Sequence, residues 1–373
     1  MAKASLIILS GVLFLIYSMP SALAELGPDY YIKNWRLPPY KTAIISKGDS
    51  ATRPLIKKDI LDEREAQLVS QSQSLMKTQP ILALLLIDPK NHLIFEAYGH
   101  GASPSSLLKG HSMTKSLVSV VLGETLCDGL IKSLDDKAAF YSDTLKDTAY
   151  GDASLRELLV MSSRGTLAVM AGQPEEGFNF DLEVKHKRNL RRAFRDFGIN
   201  QPRPAPKGEF HYKGLDTAAL SIVIADVRHE KFQDALSARL WSKIGAEKDG
   251  EIVIDSNRDA LAQSGFGATA RDWGRLALFI RDLSQSNGCM GRYLRDAMTG
   301  QIPNRTDSGP AFQSYGYQFW TNNKFIKQPS AWMNGYGGQL IGIDLKSGKI
   351  AVMLSYDFGA NFKLYKLFDD WTK

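Results

Sequence analysis

Hydrophobic and polar positions change their spacing several times along this chain, and each change predicts an element. A continuous apolar run, Ile81-Leu82-Ala83-Leu84-Leu85-Leu86-Ile87, is followed by Asp88-Pro89-Lys90-Asn91 and then His92-Leu93-Ile94-Phe95-Glu96-Ala97-Tyr98. Two β-rich runs about a Pro-Lys-Asn turn predict a hairpin. Upstream, Asp59 to Lys77 reads as a helix with Leu68, Val69, Leu75 and Met76 on its apolar side. Residues 25–58 carry no clear period, and Trp35-Arg36-Leu37-Pro38-Pro39-Tyr40 predicts an extended arm laid over the surface. Residues 112–260 are mainly helical in pattern. Ser154 caps Leu155-Arg156-Glu157-Leu158-Leu159, and a further helix over Thr269–Leu283 places Trp273, Leu276, Ala277 and Ile280 on one side. The C-terminal part returns to β spacing at Tyr315–Trp320 and at Gln339–Leu345. A Lys346-Ser347-Gly348 turn leads to Ile350–Tyr356, then a closing helix presents Phe362, Leu364, Leu367, Phe368 and Trp371. Hairpins near both ends predict an α/β (α+β) domain over 59–373. Its antiparallel sheet is built from the two termini and flanked by helices, with a mainly helical insertion at about 112–260.

Composition adds an export signal. The 373 residues are 44% hydrophobic and 23% charged, ordinary values for a globular protein. Lys3, an apolar run from Leu6 to Ile16, Pro20 and Ala22-Leu23-Ala24 read as a secretory signal peptide over residues 1–24. Its apolar part is short for a membrane span. The expected location is periplasmic or secreted, with no transmembrane span after cleavage. Removing Lys3 with the signal lowers the formal charge from +6 to +5. Cys127 lies on an apolar helix and reads as a buried free thiol; pairing with Cys289 in an oxidising compartment is the other reading. No Cys/His spacing suits zinc, so no metal or other cofactor is expected. The basic run Lys185-His186-Lys187-Arg188, Arg191, Arg192 and Arg195 reads as a solvated helix face, with an anionic cell-envelope polymer as the functional alternative. No aromatic interleaving or nucleic-acid module accompanies it.

The chemistry centres on Gly110-His111-Ser112-Met113-Thr114-Lys115-Ser116, which runs into the apolar Leu117–Gly123. Helical spacing puts the Ser112 hydroxyl and the Lys115 amine on one face. A helix N-terminus supplies free N–H groups where an oxyanion would form, and burial lowers a lysine pKa until the amine can accept a proton. His111 and His211, beside the motifs, read as structural, and Asp216 as a helix cap. Tyr315, Tyr317, Phe319, Trp320 and Trp332 read as core, or as a wall of the substrate site.

The order of these pieces resembles the serine β-lactamase and penicillin-binding-protein superfamily. It is most similar to the class C-like branch that holds family VIII esterases and 6-aminohexanoate-dimer hydrolase. The resemblance rests on His111-Ser112-Met113-Thr114-Lys115-Ser116, Gly129–Asp136, Leu155–Ser163, Pro206–Thr217, Gly267–Asp272 and Gly335-Tyr336-Gly337-Gly338-Gln339. It implies a β-lactamase-like fold, Ser112 as nucleophile, and Lys115 and Tyr212 as proton-transfer groups. It also implies an oxyanion hole from the backbone N–H groups of Ser112 and Gln339. Which of Lys115 and Tyr212 is the acylation base stays open. Two positions depart from the family pattern. Tyr212-Lys213-Gly214 ends in Gly214 where Asn or Ser is usual, and Tyr336-Gly337-Gly338 begins with Tyr336 where β-lactamases carry the lysine that holds a substrate carboxylate. Gly214, Tyr336, Gly337 and Gly338 are the implied substrate-binding positions, and the substrate expected is a small-molecule amide or ester. A non-catalytic penicillin-binding-like envelope protein is one alternative. An α/β-hydrolase esterase, reading Gly110-His111-Ser112 as a nucleophile elbow, is the other.

Overall fold

The computed structural model describes residues 27–37, 41–163, 189–196 and 208–373. The expected signal peptide, Lys185 to Arg188, and Pro206-Lys207 lie outside these residues. Among the described residues, thirteen strands form two sheets. The smaller contains, in spatial order, β1 (Lys41–Ile45), β6 (Gly250–Ile254), β7 (Phe266–Ala268) and β5 (Leu108–Lys109). The larger is built from β2 (Ile56–Lys57), β3 (Ile81–Ile87), β4 (His92–Tyr98), β8 (Ile302–Pro303), β9 (Phe312–Tyr315), β10 (Trp320–Asn323), β11 (Ser330–Gly335), β12 (Gln339–Asp344) and β13 (Ile350–Ser355). Its order is β2-β4-β3-β13-β12-β11-β10-β9-β8, antiparallel throughout except for the short β2–β4 pair.

The sheet therefore joins the two ends of the chain, with Val352 of β13 opposite Leu85 of β3. Every residue of β3, β12 and β13 is buried, so both faces are covered, which explains why β3 is continuously apolar rather than alternating. The helix Ala270–Ser284 packs on β3, β12 and β13. It comes close because Gly274 has no side chain: a Cβ there would lie 2.9 Å from Ile87. The helices Glu63–Thr78 and Asn361–Thr372 pack on each other and on this sheet. The N-terminus of Glu63–Thr78 is fixed by a reciprocal capping box between Asp62 and Glu65. The helix Thr114–Cys127, which follows Ser112, packs against the helices Gly214–Arg228, Phe232–Arg239 and Cys289–Ala297.

Three expectations change. Residues 25–58, expected as an extended surface arm, contribute the helix Pro28–Ile32 and the strands β1 and β2, with Trp35 fully buried. The apolar residues there are too widely spaced to show a period, yet β1 gains its partner in β6, far along the chain. Tyr315–Trp320 is not one strand. The chain turns between β9 and β10 through Gln318 at φ +62°, because the Gln318 side chain turns inward to donate to the Leu158 and Leu159 carbonyls. Cys127 is not a free thiol. It is bonded to Cys289, joining the end of the helix Thr114–Cys127 to the start of the helix Cys289–Ala297. Helix spacing alone could not reveal that two positions 162 residues apart bring their Cα atoms within 5.8 Å.

Candidate active site

Ser112 sits in a tight turn, the 3-10 helix His111–Met113, between β5 and the helix Thr114–Cys127. Gly110 opens the turn against the Trp273 ring, where a Cβ would come within 2.3 Å. His111 takes the left-handed conformation, φ +47°, a strain on the order of 1 kcal/mol for a residue with a Cβ. Thr114 Oγ donates to the His111 carbonyl at 2.7 Å and accepts from the Phe266 N–H at 3.2 Å, tying the turn to β7.

Lys115 is buried in the first turn of the helix. Its Nζ lies 3.0 Å from Ser112 Oγ and donates to the Gln263 carbonyl at 2.7 Å. Burial lowers its pKa to about 7, so the amine is neutral in a large share of molecules at neutral pH. Tyr212 comes from the segment before the helix Gly214–Arg228, and its hydroxyl faces Ser112 closely enough for the serine to act on its pKa. Its ring lies 5.0 Å from Trp320 and 6.1 Å from Tyr315, and Lys115 Nζ is 5.1 Å from its centroid. Burial raises the phenol pKa, with the Ser112 hydroxyl acting the other way, so the group stays protonated. The aromatics Tyr315, Tyr317, Phe319, Trp320 and Trp332 are all buried. Trp320 and Tyr315 serve the site by holding the Tyr212 ring from behind.

Gly214 is the first residue of its helix, and a Cβ there would lie 3.0 Å from Gln263 Cγ. Gln263, absent from the sequence reading, thus borders both Lys115 and Gly214, and its buried Oε1 has no hydrogen-bond partner among the described residues. It belongs to no motif, so only the fold could place it here. Asp216 is not the N-cap, which is Lys213, but stands in the first turn of the same helix. It is wholly buried, accepts from Ser163 Oγ at 2.6 Å and lies 3.7 Å from Lys213 Nζ. His211 donates its backbone N–H to the Met161 carbonyl and lies 3.5 Å from Glu209.

Across from the hydroxyl, β11 ends at Gly335 and residues 336–338 turn into β12. A Cβ on Gly335 would lie 2.2 Å from the Gly110 carbonyl oxygen, so backbone packs directly on backbone. Gly337 and Gly338 both have positive φ, +76° and +83°. Gln339 is fully buried, pairs with Gly335, and its side chain donates to the Tyr336, Gly337 and Ser355 carbonyls. Tyr336 is 40% exposed, so it lines an open rim; its ring lies 5.8 Å from His111 and 5.1 Å from Phe358. His111 also touches Tyr30 and Tyr31, and its buried Nε2 has no hydrogen-bond partner among the described residues. Burial first, then the Lys109 and Lys115 cations, hold this imidazole well below its ordinary pKa and keep it neutral. The structure therefore gathers Ser112, Lys115, Tyr212 and Gly214 on one side of the turn that carries Ser112. Residues 335–339 close the other.

An elbow of the α/β-hydrolase kind is excluded. The strand before Ser112 has two residues and lies in an antiparallel sheet, whereas that elbow crowns a strong strand. Residues 75–367 match the profile of the Beta-lactamase family. The 6-aminohexanoate-dimer hydrolase of Paenarthrobacter ureafaciens is 26% identical over 336 residues, covering 84% of this chain and 82% of that protein. Among solved structures, a Bacillus anthracis protein provisionally named a 6-aminohexanoate-dimer hydrolase superposes with a TM-score of 0.72 at 19% identity, covering 92% of each chain. The hydrolase EstCE1 gives 0.64 at 14% identity, covering 83% of this chain and 99% of its own. With the profile spanning most of its length, the chain belongs to the Beta-lactamase family of serine hydrolases.

Proposed function

We propose that the protein is an exported hydrolase that cleaves a small amide or ester through an acyl-enzyme on Ser112. The observation that carries this reading is the convergence of two proton-transfer groups on one hydroxyl: Lys115 Nζ lies at 3.0 Å, and the Tyr212 phenol faces the same hydroxyl, its ring centroid 5.1 Å from that amine. The neutral amine accepts the Ser112 proton as Oγ attacks the carbonyl carbon. The Tyr212 hydroxyl gives its proton to the departing amine or alcohol as it takes one from the Lys115 ammonium, so the Ser112 proton ends on the leaving group. Water then attacks the acyl carbon and gives a proton to the same pair, and the acid leaves as Ser112 Oγ is reprotonated. The Ser112 N–H and one N–H of the β11–β12 turn stabilise the oxyanion. The contact of Gly335 on the Gly110 carbonyl favours Tyr336, the next residue, as the second donor. Gln339, the donor implied by resemblance, holds the turn together through its side chain.

The name of the Paenarthrobacter ureafaciens relative supports a short amide substrate. Tyr336 in place of a lysine favours substrates without a carboxylate at that edge. Gln263 offers a side-chain amide beside the position where Gly214 has none. The Cys127–Cys289 bond supports export to an oxidising compartment. No helix among the described residues is long and apolar enough to cross a membrane. An envelope polymer is the weaker partner, since Arg191 of the basic run pairs with Asp226 at 2.7 Å and Asp259 at 3.4 Å. Ser112→Ala is expected to abolish p-nitrophenyl ester hydrolysis and labelling by a serine-reactive phosphonate. Labelling that survives would overturn the assignment. Stable binding of peptidoglycan fragments without turnover of any ester or amide would favour the non-catalytic reading.

A further inference from the structure

The N-terminal segment enters the active site from behind, and one of its side chains touches both halves. Trp35 anchors the segment: it is fully buried, its indole N–H donates to the Leu107 carbonyl at 3.4 Å, and its ring fills the space above Gly267 of β7. Lys109 of β5 donates to Tyr30 at 2.7 Å, and the Tyr30 ring stacks on His111. Tyr31, 1% exposed and so committed to these contacts, meets Tyr30 edge-on at 5.3 Å and lies 5.4 Å from the His111 ring. Its hydroxyl oxygen lies 2.2 Å from where a Cβ on Gly337 would be.

We infer that Tyr31 is a positioning residue for acylation, wedged between the turn that carries Ser112 and the glycine turn that faces it. The inference rests on the Ser112 reading above. Two features need such a wedge. His111 holds a left-handed backbone immediately before Ser112; its ring lies among Tyr30, Tyr31 and Tyr336, and its buried Nε2 has no hydrogen-bond partner among the described residues. Gly337 stands at φ +76° in a turn whose backbone must keep its distance from Ser112 to serve an oxyanion. A displacement of about 1 Å at such a site can cost on the order of 100-fold in rate. Tyr31 never touches the substrate in this account; it sets the gap.

The test compares Tyr31→Leu, Tyr31→Phe and Ser112→Ala in the full chain. It follows kcat and KM for p-nitrophenyl acetate, the rate of phosphonate labelling, and the thermal midpoint. Tyr31→Leu keeps apolar bulk but loses the ring, and is expected to lower kcat and labelling about 10- to 100-fold while KM moves less than about twofold. Tyr31→Phe keeps the ring and is expected to restore kcat to within about threefold of the parent. The pH midpoint near 7, set by Lys115, stays in place in both. An unchanged kcat in Tyr31→Leu overturns the inference, as does a loss that tracks the unfolded fraction or one that Tyr31→Phe shares. If Tyr31→Leu does not fold, Gly337→Ala, which presses on the same ring, carries the test: lower kcat at constant KM supports the wedge, and unchanged kcat overturns it. Ser112→Ala separates the two levels. Labelling that persists there removes the functional reading itself, whereas normal Tyr31 variants beside an inert Ser112→Ala remove only the wedge.

Discussion

The two sides of the turn that carries Ser112 are built in opposite ways. On the helical side, the proposed chemistry rests on side chains: Lys115 lies in hydrogen-bond reach of Ser112, Tyr212 faces the same hydroxyl, and burial sets the protonation of the lysine and the phenol. On the strand side it is carried by backbone, and the residues matter for what they lack. Gly335 approaches the Gly110 carbonyl so closely that no Cβ fits. A side-chain site can be tuned by pKa; a backbone site can only be tuned by distance. The two sides should therefore fail differently when mutated.

The largest effect is expected from Lys115→Met, which should lower kcat/KM by about 10²- to 10⁴-fold, the contribution of a positioned base. Because a buried amine is removed, the same variant should melt higher than the parent, a trade of activity for stability. The pH profile sharpens this. Parent kcat/KM should rise through about pH 7 as Lys115 loses its proton and should show no loss where an ordinary phenol ionises, since Tyr212 is raised. The folded lysine titrates near 7 against 10.5 when unfolded, so the unfolded chain binds the extra proton between those values. Its contribution to stability therefore rises with pH across that window, and Lys115→Met should lose that rise in urea titrations.

Next is Gly335→Ala. Its Cβ would press on the Gly110 carbonyl and part the two turns, and a loss of about 10²- to 10³-fold in kcat is expected, as for a missing oxyanion donor. Here the pH midpoint should stay near 7; a shifted midpoint would mean that the two sides are not separate. Opening the disulfide comes third. Cys127→Ser with Cys289→Ser should cost about 3–5 kcal/mol in denaturant unfolding, with kcat at 25 °C retained, because the bond lies at the far end of the helix Thr114–Cys127 from Ser112. Smallest is Gln318→Ala. That side chain accepts from Thr217 and donates to the Leu158 and Leu159 carbonyls, and its removal should cost about 1–3 kcal/mol with little change in kcat.

The helical side was the more legible in sequence. Ser112 and Lys115 are three residues apart on one helix, so local geometry alone puts them together, and the apolar Leu117–Gly123 announces the burial that shifts the lysine. The hairpin β3–β4 and the helix Ala270–Ser284 were legible for the same reason: period and turn chemistry are local. Tyr212 and the turn at 335–339 entered by family resemblance rather than by any local pattern. Gln263 and Tyr31 entered by neither, because a carbonyl that accepts a lysine proton and a ring wedged between turns leave no spacing to read.

What the sequence by itself determined is the strongly periodic elements, such as the β3–β4 hairpin and the helix Ala270–Ser284, the polar first turn on a buried helix, and the glycines that permit a tight turn. Each of these depends on neighbours within a few residues. What only the tertiary structure decided is which distant residues share a surface. The Cys127–Cys289 bond, the burial of Trp35 and Tyr31, and the meeting of Gly335 with Gly110 all depend on how sheet and helices pack. Packing is a property of the whole chain at once, since each contact costs loop entropy that only the assembled core offsets.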